Sequence, residues 1–312
     1  MTQSYKIKRI LYLRTVMKKL FCLTILLLTS LQFLKAQTSI QAPNLSVPSL
    51  VAPGYFGPNA FPVPDMSDGT TSADVRLELY GDGFTSTKGY SIKEDLTLDV
   101  FAKATIPLFS DRVNLVLWMP IVEYFESGPR VNEARRITDP DRWISGIDSG
   151  DAYVSTDILV LDERKSGVGL VLRSVLKSAS GNSFGTARVY DAPGYFFDVT
   201  AGRDVYASAD GNTKLRIAMT GGFLCWQTDN GRQNDAVMYG LSAALQSGPV
   251  KVRTDYGGYV GWEGYGDRPM TFKTRLSYAI GDISIEMMHQ VGFKDWPYHQ
   301  FRFGISKIFH QK

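Results

Sequence analysis

Histidine and cysteine are scarce in this 312-residue chain, which holds three of the first and two of the second. Cys22 falls in an N-terminal stretch unlike the rest, so Cys225 stands alone in the remainder, where neither an internal disulfide nor a zinc-ligand spacing can form. Cys225 therefore reads as a small apolar side chain in a strand. Past Leu34 no apolar run is long enough for a helix to cross a bilayer. Basic runs are missing too, and neither Ser180-Gly181-Asn182 nor Gly257-Gly258 precedes a helix that could hold a phosphate. Nucleic acid, nucleotide, metal and organic cofactor all lack a sequence signal.

The first 36 residues carry Lys6, Lys8, Arg9, Arg14, Lys18, Lys19 and Lys35, no acidic residue, and an apolar stretch from Leu20 to Leu34. A basic start, an apolar run of about 15 residues and the small residue Ala36 read as a secretory signal peptide over 1–36, with Met17 as the expected start. The whole chain has a net charge of +3; beyond residue 36 it keeps 27 basic against 31 acidic residues, a net charge of −4. The basic balance belongs to the export signal, which removes the charge argument for a nucleic-acid partner. Residues 37–72 are polar and proline-rich, with Pro43, Pro48, Pro53, Pro58, Pro62 and Pro64. Proline supplies no backbone donor, so this stretch should run extended outside any sheet interior.

From Ala73 the sequence breaks into twelve segments that alternate apolar and polar residues between turn signals, the pattern of half-exposed strands. Their expected bounds are 73–81, 93–108, 112–124, 151–162, 167–178, 194–206, 213–226, 235–246, 250–262, 270–280, 282–293 and 299–309. In the second, Leu96, Leu98, Val100, Ala102, Ala104 and Ile106 share one face, and Asp95, Thr97, Asp99 and Lys103 share the other. Leu215, Ile217 and Met219 oppose Arg216 and Thr220 in the same way, and Phe272, Leu276, Tyr278 and Ile280 oppose Lys273 and Arg275. Periodicity does not say which face is inside. A soluble barrel buries the apolar face, whereas a membrane barrel turns it to lipid and keeps a polar lumen.

Three features turn the apolar face to lipid. Connections alternate between short ones, such as Ser110-Asp111, Glu163 to Ser166, Ser247 to Pro249 and Gly281, and mostly longer ones, above all 125–150 and 179–193. Aromatic residues gather near segment ends, with Tyr80, Tyr124, Phe125, Tyr153, Tyr195, Trp226, Trp262, Phe293 and Trp296 towards the long loops and Phe109, Tyr206 and Phe309 towards the short turns. Two such bands are expected at headgroup level. Finally, an exported chain with many apolar strand faces and no helical span is solvated by lipid only if its sheet closes, because an open edge leaves backbone groups without partners in hydrocarbon. Pro120 interrupts the third segment and predicts either a bulge there or a strand that leaves the bilayer before it.

The last segment, Phe301-Arg302-Phe303-Gly304-Ile305-Ser306-Lys307-Ile308-Phe309, resembles the C-terminal strand that the barrel-assembly machinery reads in bacterial outer-membrane β-barrel proteins. The resemblance is porin-like, spans residues 73–312, and reaches architecture without any one functional family. It implies an all-β, antiparallel transmembrane barrel of about twelve strands in a Gram-negative outer membrane, with periplasmic termini. Lipid, lipopolysaccharide and the assembly machinery are the implied partners. Within that frame residues 37–72 are either a periplasmic linker or an extended plug in the lumen, with Tyr55, Phe56 and Phe61 as anchors.

With the polar face luminal, Arg216, Lys251, Arg253, Lys273, Arg275 and Arg302 form a basic wall on the later strands, and Asp95, Asp99, Asp255 and Glu286 supply acidic lining. Arg76, Glu78, Lys103, Asp157, Arg173, Lys177 and Asp198 also face inward. Fixed charge along a narrow wet pore attracts counter-charged solutes, so a passive channel for small polar solutes, biased towards anions, is the leading reading. Opposite charges pairing across the lumen would instead give a non-conducting structural or adhesion barrel. Acidic residues of the long connection, Asp139, Asp141 and Asp148, lack a calcium-loop spacing and read as solvated surface. A lipid hydrolase would need His289 beside a serine, and Glu286-Met287-Met288-His289-Gln290-Val291 offers none.

Overall fold

The computed structural model describes residues 61–310 apart from 110, 135–140, 182–192, 228–232, 263, 265 and 297. The expected signal peptide and the proline stretch up to residue 60, with Tyr55 and Phe56, lie outside the described residues, as does Asp139.

Thirteen strands are described: β1 (Val75–Ser86), β2 (Asp95–Pro107), β3 (Val113–Ser127), β4 (Ile144–Asp148), β5 (Tyr153–Leu161), β6 (Gly169–Lys177), β7 (Gly194–Ala207), β8 (Thr213–Gln227), β9 (Gln233–Ser247), β10 (Val250–Gly261), β11 (Met270–Ile280), β12 (Ile283–Lys294) and β13 (Tyr298–Phe309). Two short helices accompany them, α1 (Pro129–Ala134) and α2 (Glu163–Ser166). From β5 to β13 each strand pairs antiparallel with the next; β13 pairs with β1, β1 with β2, β2 with β3, and β3 with β5. The ring is therefore closed over twelve strands, and no wall strand is left as an edge. The thirteenth, β4, pairs only with Glu123–Ser127 of β3.

All twelve expected segments coincide with wall strands; the main difference is β1, which continues to Ser86 instead of stopping at Gly81. The long connection 125–150 was expected as loop and instead contains α1 and β4. Pro120 explains the change of partner. Opposite Val100 and Phe101 the register jumps from Val122 to Pro120, leaving Ile121 as the extra residue of a bulge. Before it, Val113–Trp118 pair with β5; after it, β3 pairs with β4, and the Pro120 carbonyl accepts from Gly150 N–H at 3.0 Å. A residue without a donor sits where the ladder switches strands.

The pleat sends alternate side chains to opposite faces. On β9, Leu241 is 55% exposed and its neighbour Ser242 5%, and Leu245 and Ala244 repeat the split. Leu77, Leu79, Leu98, Ile217, Met219, Leu276, Tyr278, Phe303 and Ile305 all lie on the outer face, exposed. Short turns follow local chemistry: Gly248 (φ 54°) and Gly281 (φ 59°) take the positive-φ position of two-residue turns. Asp162 caps α2 by accepting from Arg164 N–H, and Gly167 ends it.

The buried apolar cluster lies inside the ring at the long-loop end, built from Phe61, Phe84, Phe125, Tyr153, Phe196, Leu224, Trp226, Tyr259, Trp296 and Tyr298 with smaller neighbours. This corrects the expected outer band. Tyr195, Trp262 and Phe293 do face outward, but Phe125, Tyr153, Trp226 and Trp296 are buried within. Along their strands Phe125, Tyr153 and Trp226 have the phase of inward residues such as Thr220 and Ala218, and Trp296, past the end of β12, joins the same cluster; they fill the lumen instead of meeting headgroups. The three rings near the short turns, Phe109, Tyr206 and Phe309, are exposed on the outside as expected.

Candidate functional site: a charged lumen crossed by residues 61–72

Inside the ring, residues 61–72 run without secondary structure against the inner faces of β6 to β13. Backbone outside a sheet is tolerated at membrane depth only where protein or water satisfies its polar groups. Here arginines do so. The Asp65 carbonyl accepts from Arg173 Nη1 at 2.7 Å, Met66 and Ser67 carbonyls from Arg253 Nη2 at 2.8 and 3.2 Å, and the Asp68 carbonyl from Arg216 Nε at 2.7 Å. At one end, the Phe61 N–H donates to the Tyr259 hydroxyl at 2.5 Å, and that hydroxyl donates to the Phe61 carbonyl at 2.6 Å. At the other, Ser72 exchanges two 2.7 Å hydrogen bonds with the Asn114 side-chain amide.

Four inward glycines make room for this segment. A Cβ on Gly169 would strike the Gly69 carbonyl, on Gly202 the Asp68 carbonyl, and on Gly240 the Met66 sulfur; on Gly257 it would come within 3.4 Å of that sulfur. Glycine inside a strand commonly marks such a close backbone approach. Gly69 itself has φ 79°, and a Cβ there would meet Gly202 N at 2.7 Å.

The segment also brings two carboxylates to the basic wall. Asp65 contacts Lys273, lies 2.7 Å from Arg275 Nη2 and 3.5 Å from Arg302 Nη1, and is 44% exposed. Asp68 lies 3.9 Å from Lys251. The remaining wall charges pair among themselves: Arg253 with Asp255 at 2.7 Å, Arg275 with Asp255 at 3.5 Å and Glu286 at 4.0 Å, and Arg302 bidentately with Asp82 at 2.6 and 2.7 Å. Arg216 bonds Glu163 at 2.6 Å and Asp204 at 2.8 Å, and Arg173 bonds Asp198 at 2.8 Å.

Between segment and wall lies a cavity of about 710 Å³. It is lined by Asp65, Asp68, Lys103, Asp157, Lys251, Lys273, Arg275, Glu286 and Arg302, and reaches Gln246, Pro249, Ala279 and Ser284 near the short turns. Five of the six expected basic residues and Glu286 thus border this cavity. Arg216 belongs to a neighbouring knot with Glu163 and Asp204 and does not line it. Asp95 and Asp99 point inward but are buried on β2, away from it, and Asp255 is covered by its arginines.

Asp65 and Asp68 were missed as partners of the wall, although a signal existed. They are the only charged residues between Lys35 and Asp74. No group of three metal-ligating side chains occurs among the described residues. His289 lies exposed on the outer face, its Nε2 3.1 Å from His299 Nδ1 and its ring stacked on Phe301 at 4.8 Å; no serine is bonded to it among the described residues.

No protein-family model matches the chain, and no curated protein does. Solved structures do. The COG4313 outer membrane channel from Pseudomonas putida F1 superposes with a TM-score of 0.52 at 12% identity, covering 79% of this chain and all of that one. The transport unit of the autotransporter AIDA-I from Escherichia coli gives 0.50 at 8% identity, covering 81% of this chain and 95% of its own. At these identities the likeness is one of fold. This chain has the twelve-stranded, antiparallel, closed barrel of outer-membrane proteins, a fold shared by channels and autotransporter units.

Proposed function

We propose that the protein sits in a Gram-negative outer membrane with its short turns in the periplasm and acts as a passive channel for small polar solutes, closed in its resting state by residues 61–72. The observation that carries this reading is the charged cavity of about 710 Å³ inside a closed wall, with a segment that belongs to no strand lying across it. A barrel built only as a wall has no need of polar space. Twelve strands enclose more room than small side-chain-filled barrels and less than sixteen-stranded porins, which suits a narrow, substrate-limited pore. The exposed outer rows of leucine, isoleucine and phenylalanine fit acyl chains and lipopolysaccharide around it.

Planar-bilayer recording tests this. The chain lacking residues 37–72 should show current steps of fixed size, and the chain that retains them should show fewer and briefer ones. Silence in both rejects the pore. One observation favours the second reading, a non-conducting structural or adhesion barrel: an apolar layer of Phe61, Trp226, Tyr259 and their neighbours packs inside the ring at the long-loop end. Of these only Phe61, with Val63 packed against the layer, belongs to the segment, so silence in both forms would mean that the wall residues close the lumen themselves. For a lipid hydrolase, His289 is paired with a second histidine and, among the described residues, with no hydroxyl.

A further inference from the structure

The strands β10 to β13 present five cations to the lumen, Lys251, Arg253, Lys273, Arg275 and Arg302. On the wall they meet three carboxylates, Asp255 and Glu286 from the same strands and Asp82 from β1. Two negative charges are missing, and Asp65 and Asp68 supply them from residues 61–72. Uncompensated charge away from bulk water is costly, so a wall of this composition calls for an anion whenever the segment is absent. Asp65 sits where three cations converge, and its carboxylate is partly open to the cavity. A carboxylate held between two guanidinium groups and an ammonium matches the fork geometry that arginine offers planar anions.

We infer that Lys273, Arg275 and Arg302 form a binding site for the carboxylate of an anionic solute, and that Asp65 is its resident internal occupant. This rests on the channel reading for its physiological use, although binding itself does not require conduction. The site is a surface of the wall, so it persists when the segment leaves. Asp65 competes for it as an internal ligand held in place by the rest of the docked segment, so free solute binds the intact protein weakly. Linkage makes the competition reciprocal: a bound carboxylate solute weakens the docking of residues 61–72 by the same factor that docking weakens the solute.

Equilibrium titration of detergent-solubilised full-length protein with succinate, followed by calorimetry, provides the test, with succinamide as the uncharged isostere. Asp65→Asn should raise succinate affinity at least tenfold over the unaltered protein and leave succinamide without detectable binding. Adding Lys273→Met and Arg275→Gln to Asp65→Asn should return succinate affinity to the level of the unaltered protein or below. Deletion of residues 37–72 serves as a second form that vacates the same site without a point change in the lumen, and it should bind succinate as Asp65→Asn does. Equal affinity of Asp65→Asn, the deletion and the unaltered protein for succinate overturns the site, as does equal binding of succinamide. Bilayer currents on the same samples separate the two claims: binding without current leaves the site standing and removes the channel, and current without binding does the reverse.

Discussion

Removing the Tyr259 hydroxyl should release one end of the luminal segment while leaving the barrel wall intact. Tyr259 is fully buried on β10, and Phe61 is 1% exposed against it. The one hydroxyl both accepts from the Phe61 N–H and donates to the Phe61 carbonyl. Tyr259→Phe keeps the ring, which packs edge-on against Trp226 at 5.3 Å, and leaves two buried backbone groups without partners. At about 1–3 kcal/mol for each such group, the docked state should lose about 2–6 kcal/mol, and the lower bound alone shifts docking roughly 30-fold. Hydrogen exchange read by mass spectrometry is the direct assay. Amides of residues 61–72 should exchange at least about tenfold faster in Tyr259→Phe, while those of β9 keep their protection. Tyr256→Phe, on the outer face of the same strand, should change neither. Unaltered exchange across 61–72 in Tyr259→Phe would refute the claim that this hydrogen-bonded pair anchors the segment.

Other outcomes follow from the same geometry. Gly202→Ala drives a methyl group into the Asp68 carbonyl and should displace residues 66–70 without unfolding the wall, seen as new labelling of a cysteine introduced at Ser67. Leu241→Arg, at the middle of an outer face, should destabilise the folded barrel in lipid by about 2–4 kcal/mol in denaturant titrations, whereas Gln246→Arg beside the luminal cavity should stay within about 0.5 kcal/mol. His310, just past β13, is hydrogen-bonded to Asp74 at 3.0 Å and Asp282 at 3.2 Å, and these carboxylates raise its imidazole above the ordinary value of about 6.5. A raised folded pKa stabilises fully below the unfolded value and ceases to do so as pH rises through the folded one. The tether at the end of β13 should therefore weaken as pH rises through that raised value, and Asp74→Asn should bring the His310 titration observed by NMR back down.

The wall was legible because a period of two survives in most strands, where charge on one face with aliphatic side chains on the other fixes register and direction together; the β6 segment, apolar on both faces around Val168 to Leu172, gave no register. Strand ends were less so. Around Phe125, Tyr153 and Trp226 both faces turn apolar, since the lumen is filled there, and proximity to a loop was mistaken for proximity to headgroups. The basic wall could be read by parity, as for Lys273 and Arg275, but not its partner. Residues 61–72 have no period, being held by arginine bonds to carbonyls that no side-chain pattern encodes. The trace they leave is indirect: inward glycines at 169, 202, 240 and 257, and two carboxylates in an otherwise uncharged stretch. Likewise β4 is five residues long and depends on the partner switch at Pro120, which sequence marks as a bulge but not as a branch point.

Everything functional depends on acyl chains meeting the outer face and water meeting the inner one. Nitroxide labels placed singly at each position from 237 to 245 on β9, in protein reconstituted into lipid, measure this most directly through their relaxation by oxygen and by a water-soluble nickel chelate. Oxygen should dominate at 237, 239, 241, 243 and 245 and fall at the positions between, giving a two-residue period. The opposite phase, or nickel access at Leu241 equal to that of a loop residue, would contradict a lipid-facing apolar row and with it the enclosed charged lumen.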